Sequence, residues 1–218
     1  DLWIAPGGGI YFSDPLYGGG IKTQDGEHVY FIPPDGKPVI RVADDLVRPN
    51  GVTGSGDGKT LYITDHGAGK TYRYVVQPDG TLADKTPFAD IGADGLALDS
   101  RGNLYLAEQG IVMLDSAGRH VRTFETPEQP TNVCLVDNES KLFVTARSRI
   151  LSVPLRGARS ETNGESRGPG GGDPNRKPWL VVHAAEPGED RSWKGAVIPV
   201  QILANRAERL SLGPIEEC

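Results

Sequence analysis

The sequence predicts an all-β protein, a β-propeller, on three observations. One strand pattern is written four times, turn-forming clusters separate the copies, and 29 glycines and 17 prolines among 218 residues favour short strands over long helices. The copies are Gly9-Ile10-Tyr11-Phe12-Ser13-Asp14, Thr60-Leu61-Tyr62-Ile63-Thr64-Asp65, Asn103-Leu104-Tyr105-Leu106-Ala107-Glu108 and Lys141-Leu142-Phe143-Val144-Thr145-Ala146. Their apolar leads stand at 10, 61, 104 and 142, intervals of 51, 43 and 38 residues, around the roughly 40–50 residues of a propeller blade.

The second copy shows the order of elements most fully. Gly51-Val52-Thr53 reads as a first strand, Ser55 to Lys59 as a turn, Leu61 to Asp65 as the returning strand and Thr71 to Val76 as a third, with Pro78-Asp79-Gly80 turning into a fourth. Pro34-Asp35-Gly36, Ser100-Arg101-Gly102-Asn103 and Ser116-Ala117-Gly118 are comparable turns. A lone four-stranded sheet cannot bury both faces, so consecutive sheets must stack about an axis.

Residues 1–157 hold about four blades. The chain opens at Asp1 inside a strand pattern, which favours a larger ring whose beginning lies upstream over a small complete one; six blades of ~45 residues need about 270. Residues 158–178 carry almost nothing apolar and read as a flexible linker. Residues 179–218 form a C-terminal segment that does not repeat the blade pattern; in it, Trp179–Ala185 reads as a strand and Val197–Leu210 as a strand running into a short helix.

A net charge of −6, with Lys and Arg scattered among acidic residues, gives no footprint for nucleic acid. No apolar run reaches the ~18 residues of a membrane span, and no signal peptide is visible, so the compartment is not readable. Neither is the oligomeric state. Cys134 lies in an apolar run and Cys218 is the last residue, which argues against a disulfide framework and against a cysteine nucleophile.

A second recurrent position lies ten or eleven residues ahead of three leads, at Asn50, Asp94 and Asn132. In a propeller, equivalent positions of successive blades converge at one end of the central tunnel. Amide oxygens with a carboxylate make a hard oxygen set suited to Ca²⁺ or Mg²⁺. The competing reading is local, because Asn50-Gly51 and Asp94-Gly95 are common turn dipeptides. Equivalence across repeats favours the metal reading; the abundance of such turns favours the other.

Arg48-Pro49-Asn50-Gly51-Val52, Asp57 to Asp65, Ala93 to Asp99 and Gly102 to Ala107 resemble the SMP-30/gluconolactonase/luciferin-regenerating family. So do Asp1-Leu2-Trp3-Ile4 and Ile10 to Pro15, and the likeness covers residues 1 to about 156. The resemblance implies a six-bladed propeller holding one divalent cation, most often Ca²⁺ with Mg²⁺ and Zn²⁺ as alternatives, through a Glu, an Asn and an Asp. Asn50 matches the Asn and Asp94 the Asp as metal ligands. The Glu belongs to a first blade that this chain does not contain, and a substrate-side Asn would stand just before Asp1; the fragment is therefore expected to carry an incomplete site. The implied reaction is hydrolysis of a small-molecule sugar lactone or ester, with Asp94 as the catalytic candidate and Arg48 and Asp1 as substrate-binding candidates.

Sharper-looking motifs fail. His66 to Thr71 lacks the first glycine of a phosphate loop, no Gly-x-Ser-x-Gly elbow exists, and the four histidines show no ligand spacing. Asn138-Glu139-Ser140 is a glycosylation sequon whose meaning depends on compartment. Asp14, Asp65 and Glu108 end equivalent strands, where hydrogen bonds to nearby turns are expected. The alternative function is a non-catalytic propeller that binds a partner through exposed loop residues such as Tyr17 or Arg147.

Overall fold

Each recurrent block folds as the second strand of a four-stranded antiparallel sheet. In the computed structural model, which describes residues 1–18, 23–155 and, as backbone, 180–182, sixteen strands make four such sheets. Blade I contains β1 (Leu2–Ile4), β2 (Ile10–Asp14), β3 (His28–Ile32) and β4 (Ile40–Ala43). Blade II contains β5 (Pro49–Gly54), β6 (Thr60–Asp65), β7 (Lys70–Val76) and β8 (Leu82–Ala89). Blade III contains β9 (Leu96–Leu98), β10 (Leu104–Ala107), β11 (Ile111–Leu114) and β12 (His120–Phe124). Blade IV contains β13 (Asn132–Val136), β14 (Lys141–Ala146), β15 (Arg149–Pro154) and β16 (Leu180–Val182).

Within each sheet the strands pair in chain order, so the connections are turns between neighbours. The turns do what their residues dictate: Gly58 and Gly80 take φ of 74° and 86°, and the Asp57 and Asp79 carboxylates accept the amides of Lys59 and Thr81. Blade IV is the exception to local pairing. Its outer strand β16 pairs with β15, Ile150 opposite Val182, although it comes from beyond the 158–178 stretch. The expected strand at Val197–Leu210 lies outside the described residues.

Period-two alternation sends successive side chains to opposite faces of a blade. The lead and the residue two further on face the preceding blade: Leu61 and Ile63 share a buried cluster with Trp3, Tyr11 and Val29. The aromatic between them faces the following blade, since Tyr62 clusters with Leu104 and Leu106, and Tyr105 with Leu142 and Val144. Three apolar seams therefore join the four blades. The first is the most aromatic: the Tyr11 ring lies 5.8 Å from Trp3 and 4.6 Å from Phe31, and its hydroxyl donates to the Gly80 carbonyl at 2.8 Å.

A candidate metal and substrate site

Asn50 lies in β5 and Asp94 just ahead of β9, and the fold brings their side chains together across 44 residues of sequence. The Asn50 amide Nδ2 donates to Asp94 Oδ1 at 2.6 Å. That bond leaves Asn50 Oδ1 and Asp94 Oδ2 outside it.

The glycines that follow them explain the approach. Neither Gly51 nor Gly95 takes a positive φ, unlike the turn glycines. A Cβ on Gly51 would lie 2.9 Å from the Asp94 carbonyl oxygen, and one on Gly95 would collide with the Asn132 side chain. These Asn-Gly and Asp-Gly pairs are thus not turns. Their glycines let the first strand of one blade press against the next, which lines up Asn50, Asp94 and Asn132 in a row. Asn132 is turned differently from the other two, because its Oδ1 accepts its own blade's Val133 amide at 2.8 Å.

The supports of this row come from Asp65, Thr64 and Ser13, which occupy recurrent positions of the repeat outside the candidate ligand set. Asp65 is buried, and its carboxylate accepts the amides of Val47 and Arg48, both at 2.9 Å, and of Ala68 at 3.1 Å. It thereby fixes the loop that presents Arg48 and Asn50, as expected of an aspartate facing a turn. Thr64 accepts the Gly51 amide and donates to the Ala93 carbonyl, and Ser13 donates to the Asn50 carbonyl. Ser13 and Thr64 occupy the same place in the repeat, a sign that was available in the sequence.

Arg48 sits at the rim. Its Nε faces Glu27 Oε2 at 3.6 Å, and its guanidinium carbon lies 5.7 Å from the centre of the Tyr17 ring. Glu27 also accepts the Leu16 amide at 3.1 Å, tying the loop after β2 to the loop before β5. Tyr17 is 52% exposed and belongs to this cluster. Desolvation and then the Asp94 carboxylate raise its phenol above the ordinary value, while Arg48 and the Asn50 amide oppose the rise. The Asp1 carboxylate faces the same strand, accepting the Val52 amide at 3.3 Å and the Leu2 amide at 2.9 Å, so its oxygens serve backbone. His66 contributes only its backbone, donating to the Arg48 carbonyl at 2.9 Å. Arg147 stands apart, in the turn between β14 and β15 with φ of 49°.

Among the described residues, no group of three or more His, Cys, Asp or Glu side chains gathers as a metal cluster. The donor chemistry here is instead one carboxylate with an amide oxygen, which fits a hard cation and supplies part of its shell. Burial pushes the Cys134 thiol up to about 11, which keeps it protonated and inert near neutral pH.

Four stacked four-stranded sheets whose first strands bring polar side chains together define a β-propeller protein. The profile of the SMP-30/Gluconolactonase/LRE-like region matches residues 1–148, and the chain belongs to this family. It is 29% identical over 175 residues to a gluconolactonase of Zymomonas mobilis, covering 70% of this chain and 49% of that protein. A gluconolactonase of Xanthomonas campestris superposes with a TM-score of 0.61 and 31% identity, covering 67% of this chain and 53% of that one. Regucalcin of Agrobacterium tumefaciens, described as a calcium-binding protein, superposes at 0.57 with 26% identity, covering 67% of this chain and 52% of that one. The chain thus spans about half the length of these relatives. Among the described residues no helix is long and apolar enough to cross a membrane.

Proposed function

We propose that this propeller serves a cation-dependent hydrolase of a sugar lactone or related ester. The observation that carries the reading is the contact between Asn50 and Asp94, brought from successive blades to one point in a family whose relatives are named gluconolactonase. Asn50 and Asp94 would hold the cation, Ca²⁺ by the hardness of their oxygens. When bound, the cation supplies Lewis acidity to the lactone carbonyl oxygen.

The protein's own groups do the rest. Opening a lactone adds the oxygen of water to the carbonyl carbon, breaks the ring C–O bond and moves one proton from water to the departing alkoxide. Asp94 is the carboxylate at this point suited to receive that proton, through an oxygen that does not hold the cation. Arg48, whose Nε side faces Glu27, can turn its terminal nitrogens to substrate oxygens. Tyr17 walls the same rim.

The test, made on a protein that carries this chain within a complete ring, is Ca²⁺ titration calorimetry followed by hydrolysis of D-glucono-1,5-lactone with and without chelator. The reading expects cation uptake and chelator-sensitive turnover, with Asp94→Ala losing on the order of 10²-fold or more in kcat/KM. Turnover indifferent to both chelator and Asp94→Ala refutes it; absence of both uptake and turnover favours a binding scaffold.

A further inference from the structure

The repeat that writes the strands also places a hydroxyl three residues after the apolar lead, at Ser13, Thr64 and Thr145. Thr64 is fully buried, and its single hydroxyl makes two bonds. Oγ1 accepts the Gly51 N–H at 2.7 Å and donates to the Ala93 carbonyl at 2.8 Å. Those backbone groups belong to the residues next to Asn50 and Asp94. One oxygen atom therefore ties the peptide that carries Asn50 in blade II to the peptide that carries Asp94 in blade III. A hydroxyl has one proton to give, so accepting from N–H and donating to C=O fixes its orientation completely.

Ser13 repeats the device one blade earlier. Its Oγ donates to the Asn50 carbonyl at 2.5 Å, again across a seam between blades. Blade III has Ala107 at this place, and there the backbone substitutes: the Asp94 N–H donates to the Ala107 carbonyl at 2.9 Å. Asp94 is thus held from behind by its own blade and from the side by Thr64 through Ala93, while Asn50 is held by Ser13 and, through Gly51, by Thr64.

We propose that Thr64 is a positioning residue, whose hydroxyl sets the separation of the Asn50 and Asp94 side chains, with Ser13 fixing Asn50 from the opposite side. Its consequence for cation affinity rests on the hydrolase reading above. Neither hydroxyl reaches a reacting atom; both act through the main chain of the residues that would.

The experiment compares Thr64→Val, which keeps the shape and removes the hydroxyl, with Thr64→Ser, which restores it. One readout is the side-chain amide resonance pair of Asn50 in a proton–nitrogen correlation spectrum, which reports its bond to Asp94. The other is Ca²⁺ affinity by titration calorimetry, with thermal melting recorded alongside. Thr64→Val is expected to shift the Asn50 resonances and weaken Ca²⁺ binding by about 10–100-fold, the usual effect of losing a group that orients a ligand, while Thr64→Ser returns both. Unmoved Asn50 resonances in Thr64→Val, or a loss that Thr64→Ser does not restore, overturns the proposal. Should the wild-type protein take up no Ca²⁺ while Thr64→Val still shifts Asn50, the cation reading fails and the positioning role is upheld. If Thr64→Val does not fold, Ser13→Ala must shift the same resonances; unchanged positions there overturn the proposal equally.

Discussion

A Cβ at Gly95 would strike Asn132, and one at Gly51 would crowd the Asp94 carbonyl, so two residues with no side chain decide whether the candidate side chains Asn50 and Asp94 meet. Gly95→Ala is expected to cost about 1–3 kcal/mol by overpacking and to lower cation affinity more than a surface Gly→Ala does; denaturant melts and calorimetry on the same samples check both. Asp65→Ala removes the acceptor of the part-buried amides of Val47 and Arg48, each bond worth about 1 kcal/mol, and is expected to raise KM more than it lowers kcat because the loop bearing Arg48 loosens. Asn50 and Asp94 were legible in the sequence because they recur in the repeat. Glu27 was not, and Tyr17 was read only as an exposed loop residue: they sit on a connection that belongs to one blade alone, and they face Arg48 across a loop. Gly51 and Gly95 were legible as glycines but ambiguous in role, since a turn and a close backbone approach demand the same residue for different reasons.

At the level of the strand, the aromatic at the centre of the first three repeats, Tyr11, Tyr62 and Tyr105, is the joint between blades. Tyr105 is buried, packs against blade IV and reaches Asp99 with its hydroxyl at 3.3 Å. Tyr105→Ala is expected to destabilise by about 3–5 kcal/mol, as for other large core aromatics, against a much smaller loss for Tyr105→Phe, measured by urea unfolding. Burial pushes the phenols of Tyr11 and Tyr105 up to about 12 from an ordinary 10.0. The folded state therefore favours the neutral phenol, and the stability it gains is complete below pH 10 and drains away as pH rises from there through about 12. Melting temperatures across that window should fall steeply for wild type and less for a Tyr11→Phe, Tyr105→Phe double variant; equal slopes would contradict the assignment. The strands themselves were readable because alternation and turn chemistry agree along residues 1–155. Strand β16 was readable only as a strand: three residues following a long polar stretch carry no sign of which sheet they complete.

For the whole molecule, three seams between four sheets make stability a sum of neighbouring terms more than a single core. Hydrogen exchange should then show the second strands β6 and β10, flanked by seams on both faces, protected far longer than β4 and β12 at the outer rims; uniform protection across all four strands of a blade would argue for one indivisible unit. The architecture and family were legible at this scale because four copies agree in pattern and spacing, where any one alone would be a weak sign. Because within each blade every strand after the first pairs with the strand made just before, a nascent chain leaving the ribosome can close one module and offer it as the template for the next while translation is still under way. A stall or a rare-codon pause would do least harm between modules, around residues 45, 90 and 130, and most harm within the long excursion that separates β15 from its last partner.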